Sequence, residues 1–195
     1  MPDKPVVAEG DDALMLRVAN KDANAFRTLV DRHARTPFAI GCRMVKDPAE
    51  AEDIAQEAML RLWNNAEKWK AGGSGVEAWL RRVAVNLCLD RLRKRKRMSD
   101  EEAPEQVDQS PTADDVVDSS RQAIAVKHCI GKLGDRQRAA VVLTYYEEQS
   151  NSEAAGAMDM KLKGFESLLF RARAALKHCL ENSPHVLHAR NGDAA

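Results

Sequence analysis

Apolar residues in this 195-residue chain return at spacings of three and four, and long stretches of period-two alternation do not occur. A sheet needs the second pattern and an amphipathic helix the first, so the expected fold class is all-α. The sharpest helix start is Asp47-Pro48-Ala49-Glu50. Asp47 can accept from the orphan N–H groups, Pro48 suits the first helical position, and Glu50 stands three residues after the cap. Beyond it Ala51, Ile54, Ala55, Ala58, Met59 and Leu62 fall on one side, with Glu52, Asp53, Gln56 and Glu57 on the other.

The same spacing predicts helices over 12–19, from an Asp22 cap through Phe26, Leu29, Val30 and His33, and through the apolar run Phe38 to Val45. After Trp63 the pattern fades into Lys70-Ala71-Gly72-Gly73-Ser74-Gly75, a flexible loop. A helix over 76–96 should turn Trp79, Leu80, Val83, Ala84, Leu87 and Cys88 to the core. Residues 98–120 are rich in acid, Ser, Pro and Gln and too poor in large apolar groups to fold alone. They read as a linker that spans at most roughly 75 Å when extended. A second helical domain starts near Arg121 with a helix to Leu133. Gly134-Asp135 turns and caps the next helix, 136–148, whose inner face carries Ala139, Val142, Leu143 and Tyr146. Ser150-Asn151-Ser152-Glu153 is a capping box for a short helix, and Asp159-Met160 makes a tight turn. A last helix, 162–180, should bury Phe165, Leu168, Leu169, Ala172 and Leu176. Short helix, turn and longer basic helix form a helix-turn-helix. The organisation is therefore two small helical domains, 12–97 and 121–182, joined by a flexible acidic linker, 98–120, with a frayed tail at 183–195.

The formal net charge is +0, but the charges are segregated. Arg91, Arg93, Lys94, Arg95, Lys96 and Arg97 form a basic block, and eight acids from Asp100 to Asp118 follow before the next cation, Arg121. No run approaches the roughly 20 apolar residues a membrane span needs. The polar start, Met1 to Asp12, lacks a secretory apolar core, so a cytoplasmic protein is expected. Cys42, Cys88, Cys129 and Cys179 are scattered and read most simply as buried thiols in a reducing compartment. His128-Cys129 and His178-Cys179 lack zinc spacing, so no metal and no cofactor is expected. The histidines show no obvious carboxylate partner, and no nucleotide-binding glycine loop or catalytic triad stands out. An enzyme is not expected.

Three segments together resemble the compact bacterial sigma factors of the extracytoplasmic function (ECF) group, over about 13–180. Asp47 to Glu57 is similar to the acidic helix of sigma region two that docks on the polymerase clamp helices. Ala78-Trp79-Leu80-Arg81-Arg82-Val83-Ala84-Val85-Asn86-Leu87, with the basic block behind it, is similar to the helix that contacts the upstream promoter element and helps melt it. Leu133-Gly134-Asp135-Arg136-Gln137-Arg138, the helix-turn-helix and Arg171-Ala172-Arg173 resemble sigma region four. The resemblance implies a promoter-specificity subunit of RNA polymerase. Its partners would be core RNA polymerase, promoter DNA and an anti-sigma factor that wedges between or wraps the two domains, and its targets stress-response genes.

The physical chemistry of the residues runs beside that resemblance. Melting DNA needs cations toward phosphates and polar groups toward unstacked bases. Arg81, Arg82, Asn86, Arg93, Lys94 and Arg95 are the candidates in the first domain, and Asn86 can both donate to and accept from a base edge. The resemblance makes 69–75 a loop that holds a flipped base. Asp53, Gln56 and Glu57 would meet polymerase, although such a face alone is as readily a solvated one. In the second domain the candidates are Lys161, Lys163, Glu166, Ser167, Phe170, Arg171 and Arg173. The two lysines would meet phosphates, and Glu166 and Ser167 base edges. Phe170 is either a thymine-methyl contact or core packing. The resemblance also lets the acidic linker follow the channel for nascent RNA; composition alone equally fits a passive tether.

The chain departs from the family pattern at Gly134, where Pro is usual, at Asp159, where Gly is frequent, and at Glu166 and Leu168, where basic residues are common. Three other readings compete. A sigma-factor mimic would bind only an anti-sigma factor and yield no transcript. A stand-alone helix-turn-helix repressor would bind duplex DNA tightly without polymerase. A metal-dependent enzyme would purify with its metal.

Overall fold

The computed structural model describes residues 9–101 and 120–182. Every regular element among them is helical. The expected linker core, 102–119, and the expected tail, 183–195, lie outside the described residues. The chain divides into two compact units, Met1–Cys88 and Leu89–Ala195.

The first unit contains α1 (Asp11–Ala19), α2 (Ala23–His33), α3 (Arg35–Val45), α4 (Pro48–Asn65), a 3-10 turn over Ala66–Lys68, and the first half of α5 (Gly75–Glu101). Local chemistry sets the ends. Asp22 accepts from the N–H groups of Asn24 and Ala25, and Asp47 from those of Ala49 and Glu50. Lys46, left-handed at φ 63°, stops α3. Pro37 has no N–H to give the His33 carbonyl, so α2 and α3 are separate helices rather than one. The core is Leu14, Met15 and Val18 from α1, Leu29 from α2, Ile40 and Met44 from α3, Ile54, Ala58 and Leu62 from α4, and Leu80 and Ala84 from α5. The α3–α4 pairing is the most extensive of these contacts. It is close because Gly41 has no side chain: a Cβ there would stand 2.9 Å from the Ala51 Cα.

Helix α5 corrects the expected linker boundary, since it continues through residues 98–101. No Gly or Pro breaks the sequence between Gly75 and Pro104.

The second unit contains α6 (Ser120–Lys132), α7 (Asp135–Val141), a π-helical segment over Val142–Tyr146, α8 (Asn151–Ala157) and α9 (Leu162–Glu181). Its core gathers Ala125 and Cys129, Ala139, Val142 and Leu143, Ala154, and Phe165, Leu169 and Ala172 around α9. Ser150 and Glu153 form the expected capping box, and Asp159 takes the expected left-handed turn at φ 51°.

Five expectations fail here. Asp135 does not cap α7 but opens it; Gly134 is the cap, and its N–H donates to the Gln137 side chain at 3.3 Å. The helix expected over 136–148 changes to π geometry at Val142, where Glu147 N–H reaches back five residues to the Val142 carbonyl. That extra residue per turn rotates Tyr146, expected inside, to the surface. Leu176, expected buried, is half-buried. Cys129 and Cys179 are not free thiols. Their Cα atoms approach to 5.7 Å across α6 and α9, and the pair is a disulfide. Fifty residues separate them in sequence, so only packing reveals the match. Thiols used in this way cannot ligate metal beside His128 and His178. Cys42 and Cys88 take no part in a disulfide.

Candidate nucleic-acid interface

On α4 the face opposite the buried stripe carries the expected docking residues. Asp53 and Gln56 are exposed; Glu57 is half-buried and pairs with Arg61 at 2.8 Å. Leu60, seven residues after Asp53, belongs to this same face and is 54% exposed. Its position off the Ala51–Ile54–Ala58–Leu62 stripe was available from spacing, yet it escapes a search for charged groups.

The expected promoter-melting residues of α5 divide by environment. Arg82 is exposed and Asn86, one turn on, is half-buried. Arg81 differs: its side chain is 15% exposed and ion-paired with Glu77. Arg93, Lys94 and Arg95 are exposed farther along, and Arg93 pairs loosely with Asp90 at 3.2 Å.

The loop before α5 is built with more care than its composition suggests. Gly72 and Gly75 have φ of +77° and +82°, a region in which other side chains are strained. Trp69 packs edge-on against Trp79 with ring centroids 6.5 Å apart. Asp12, from the first turn of α1, accepts from the Trp69 indole N–H at 2.8 Å and from the Gly72 N–H at 2.9 Å. These two bonds, the indole's first, hold the Asp12 carboxyl below the usual carboxylate range. Sequence reasoning misses this residue because its partners are 57 and 60 positions away.

The expectation that histidines lack carboxylate partners fails at His33. Its Nε2 lies 2.7 Å from Asp11, whose other oxygen takes Arg32 at 2.9 Å. These contacts stitch α1 to α2.

In the second unit Lys161, Lys163, Glu166, Ser167, Phe170, Arg171 and Arg173 are all exposed on α9 or at its start. Phe170 is 72% exposed, so the core-packing alternative for it is excluded. A shallow depression beside it is lined by Asn151, Glu166, Ser167, Leu169, Phe170, Arg171 and Arg173. Asn151, at the start of α8, and Tyr145 are additions the sequence did not single out. Arg173 lies over the Tyr145 ring at 5.5 Å and donates to its hydroxyl. Arg138, part of the family-like segment, does not face outward. It is 7% exposed and donates to the carbonyls of Ile130, Gly131 and Leu133, closing the end of α6. Burial lowers its pKa, against the opposing pull of Asp135.

Among the described residues no group of three or more metal-binding side chains occurs, and no helix is long and apolar enough to cross a membrane.

Comparison with known proteins agrees with this arrangement. Residues 29–98 match the model of sigma-70 region 2, and residues 123–176 that of sigma-70 region 4. The chain is 30% identical over 182 residues to the ECF RNA polymerase sigma factor SigK of Mycobacterium sp. (strain KMS), covering 90% of this chain and 93% of the relative. Two solved structures share the fold at 24% identity. CnrH in complex with the cytosolic domain of CnrY gives a TM-score of 0.61, covering 90% of this chain and all of that one. The sigma factor RpoE in complex with the anti-sigma factor NepR, from Bartonella quintana, gives 0.63, covering 81% and 98%. The chain belongs to the ECF family of RNA polymerase sigma factors.

Proposed function

We propose that this sigma factor directs RNA polymerase to two-part promoters, probing one element with α5 and the loop before it and the other with α9. The observation that carries the reading is the pairing of exposed cations with base-reading groups on each helix: exposed Arg82 with half-buried Asn86 on α5, and exposed Arg171 with exposed Glu166 and Ser167 on α9. Cations neutralise phosphates and set register, while the polar groups address bases. Phe170, open to solvent, suits a thymine methyl. Lys161 and Lys163 take phosphates at the start of α9, where the helix dipole adds its pull on anions.

Core polymerase docks on Asp53, Gln56 and Glu57, with Leu60 supplying apolar contact at the C-terminal end of that face. The protein does no chemistry of its own and works in the cytoplasm. An anti-sigma factor restrains it: the fold is that of two proteins solved as complexes, RpoE with the anti-sigma factor NepR and CnrH with the cytosolic domain of CnrY. Stress-response genes are the targets this restraint implies. Transcription from genomic templates with purified core polymerase tests the reading: discrete start sites are expected, and their absence rejects it. Tight duplex binding by the chain alone would favour a repressor instead.

A further inference from the structure

We propose that Asp12 is a positioning residue for promoter melting, holding the 69–75 loop in the shape that receives an unstacked base. The inference rests on the reading of that loop as a base pocket. It is carried by one carboxylate that uses both oxygens on the loop, Oδ1 for the Trp69 indole and Oδ2 for the Gly72 backbone.

The loop needs such an anchor. Residues 71–74 are exposed, and two of the six residues from Lys70 to Gly75 are glycines in the left-handed region. Glycine visits many conformations in free chain, so a Gly-Gly-Ser-Gly run left alone loses its shape. A pocket for a flipped base must be formed before the base arrives, or binding carries the cost of ordering it. Asp12 supplies two fixed points three residues apart. One orients the Trp69 ring against Trp79 on α5, and the other sets the peptide at the positive-φ turn. Bonds to an ionised carboxylate are the stronger kind, and the first turn of α1 favours the negative charge. The anchor also ties α1 to the loop that leads into α5.

The test uses the full chain with core polymerase and a duplex promoter mapped by transcript sequencing, with 2-aminopurine replacing single bases of the melted element. Asp12→Ala should lower run-off transcription at least tenfold and flatten the 2-aminopurine rise, with core-polymerase affinity changed less than twofold. Asp12→Asn, which keeps one acceptor oxygen, should recover part of both signals. Trp69→Phe, which keeps an aromatic ring but removes the indole donor along with part of the ring volume, should reduce transcription too, and adding it to Asp12→Ala should cost less than the product of the separate losses. Wild-type melting by Asp12→Ala overturns the proposal, as does loss of core binding in step with transcription, which would make Asp12 a structural tie only. Replacing residues 70–74 separates the two layers. If that replacement leaves melting intact, the base-pocket reading fails; if it abolishes melting and Asp12→Ala does not, only the role of Asp12 fails.

Discussion

Single residues in this protein act mainly by satisfying backbone groups that helices leave open. Arg138 is the clearest case: three carbonyls at the end of α6 converge on one buried guanidinium. Arg138→Ala would strand them, and hydrogen bonds to charged groups contribute about 1.5–3 kcal/mol. The variant should lose about 3 kcal/mol from the second unit, measured as a lower urea midpoint by circular dichroism, while tryptophan emission keeps its midpoint. The two probes separate because Trp63, Trp69 and Trp79 all lie in the first unit. Asp12, Asp22 and Glu67 also lie there, and each has its carboxyl held below the ordinary range, by Trp69, Arg17 and Lys21 first in turn. A carboxylate with a depressed folded pKa stabilises fully above its unfolded value and loses that contribution as pH falls through the folded one. Thermal melts followed by tryptophan emission should therefore be flat above about pH 5 and fall below about pH 4. A melting temperature that rose on acidification would contradict the assignment.

At the scale of elements, stability lies in a few close pairings. Gly41→Ala drives a methyl into the Ala51 backbone between α3 and α4. Overpacking of this kind costs about 1–3 kcal/mol, more than the better helix propensity of Ala returns. The tryptophan-detected urea midpoint should drop. The Cys129–Cys179 link ties α6 to α9 across 50 residues. Its reduction should weaken the second unit by about 4 kcal/mol through restored chain entropy, again with the first unit unmoved. These pairings also mark how far the sequence could be read. Asp47, Asp22 and the Ser150–Glu153 box were legible because a cap and its donors lie within three residues of each other. The buried stripe of α4 was legible because its period is local. The disulfide, the Arg138 closure and the Asp12 anchor depend on which helices pack together, which periodicity does not reveal. The π turn at Val142 was hidden for a different reason: a one-residue change of register leaves composition untouched, and it turned Tyr146 outward.

For the whole molecule, a net charge of +0 conceals one strongly cationic helix end and a second run of cations on α9. Neutral overall charge suits a subunit that binds DNA only when polymerase presents it, since long-range attraction to a polyanion is then weak. Charge reversal should sort the surfaces. Asp53→Lys should weaken core binding, whereas Arg82→Glu and Arg171→Glu should spare it and reduce promoter-specific transcript several-fold, as co-purification and primer extension can measure. The most direct test of the central claim is multi-round transcription of fragmented genomic DNA by core polymerase with and without the purified chain. The account predicts new, discrete start sites that need both the chain and polymerase and that weaken with Arg171→Glu. The same start pattern with and without the chain would contradict it.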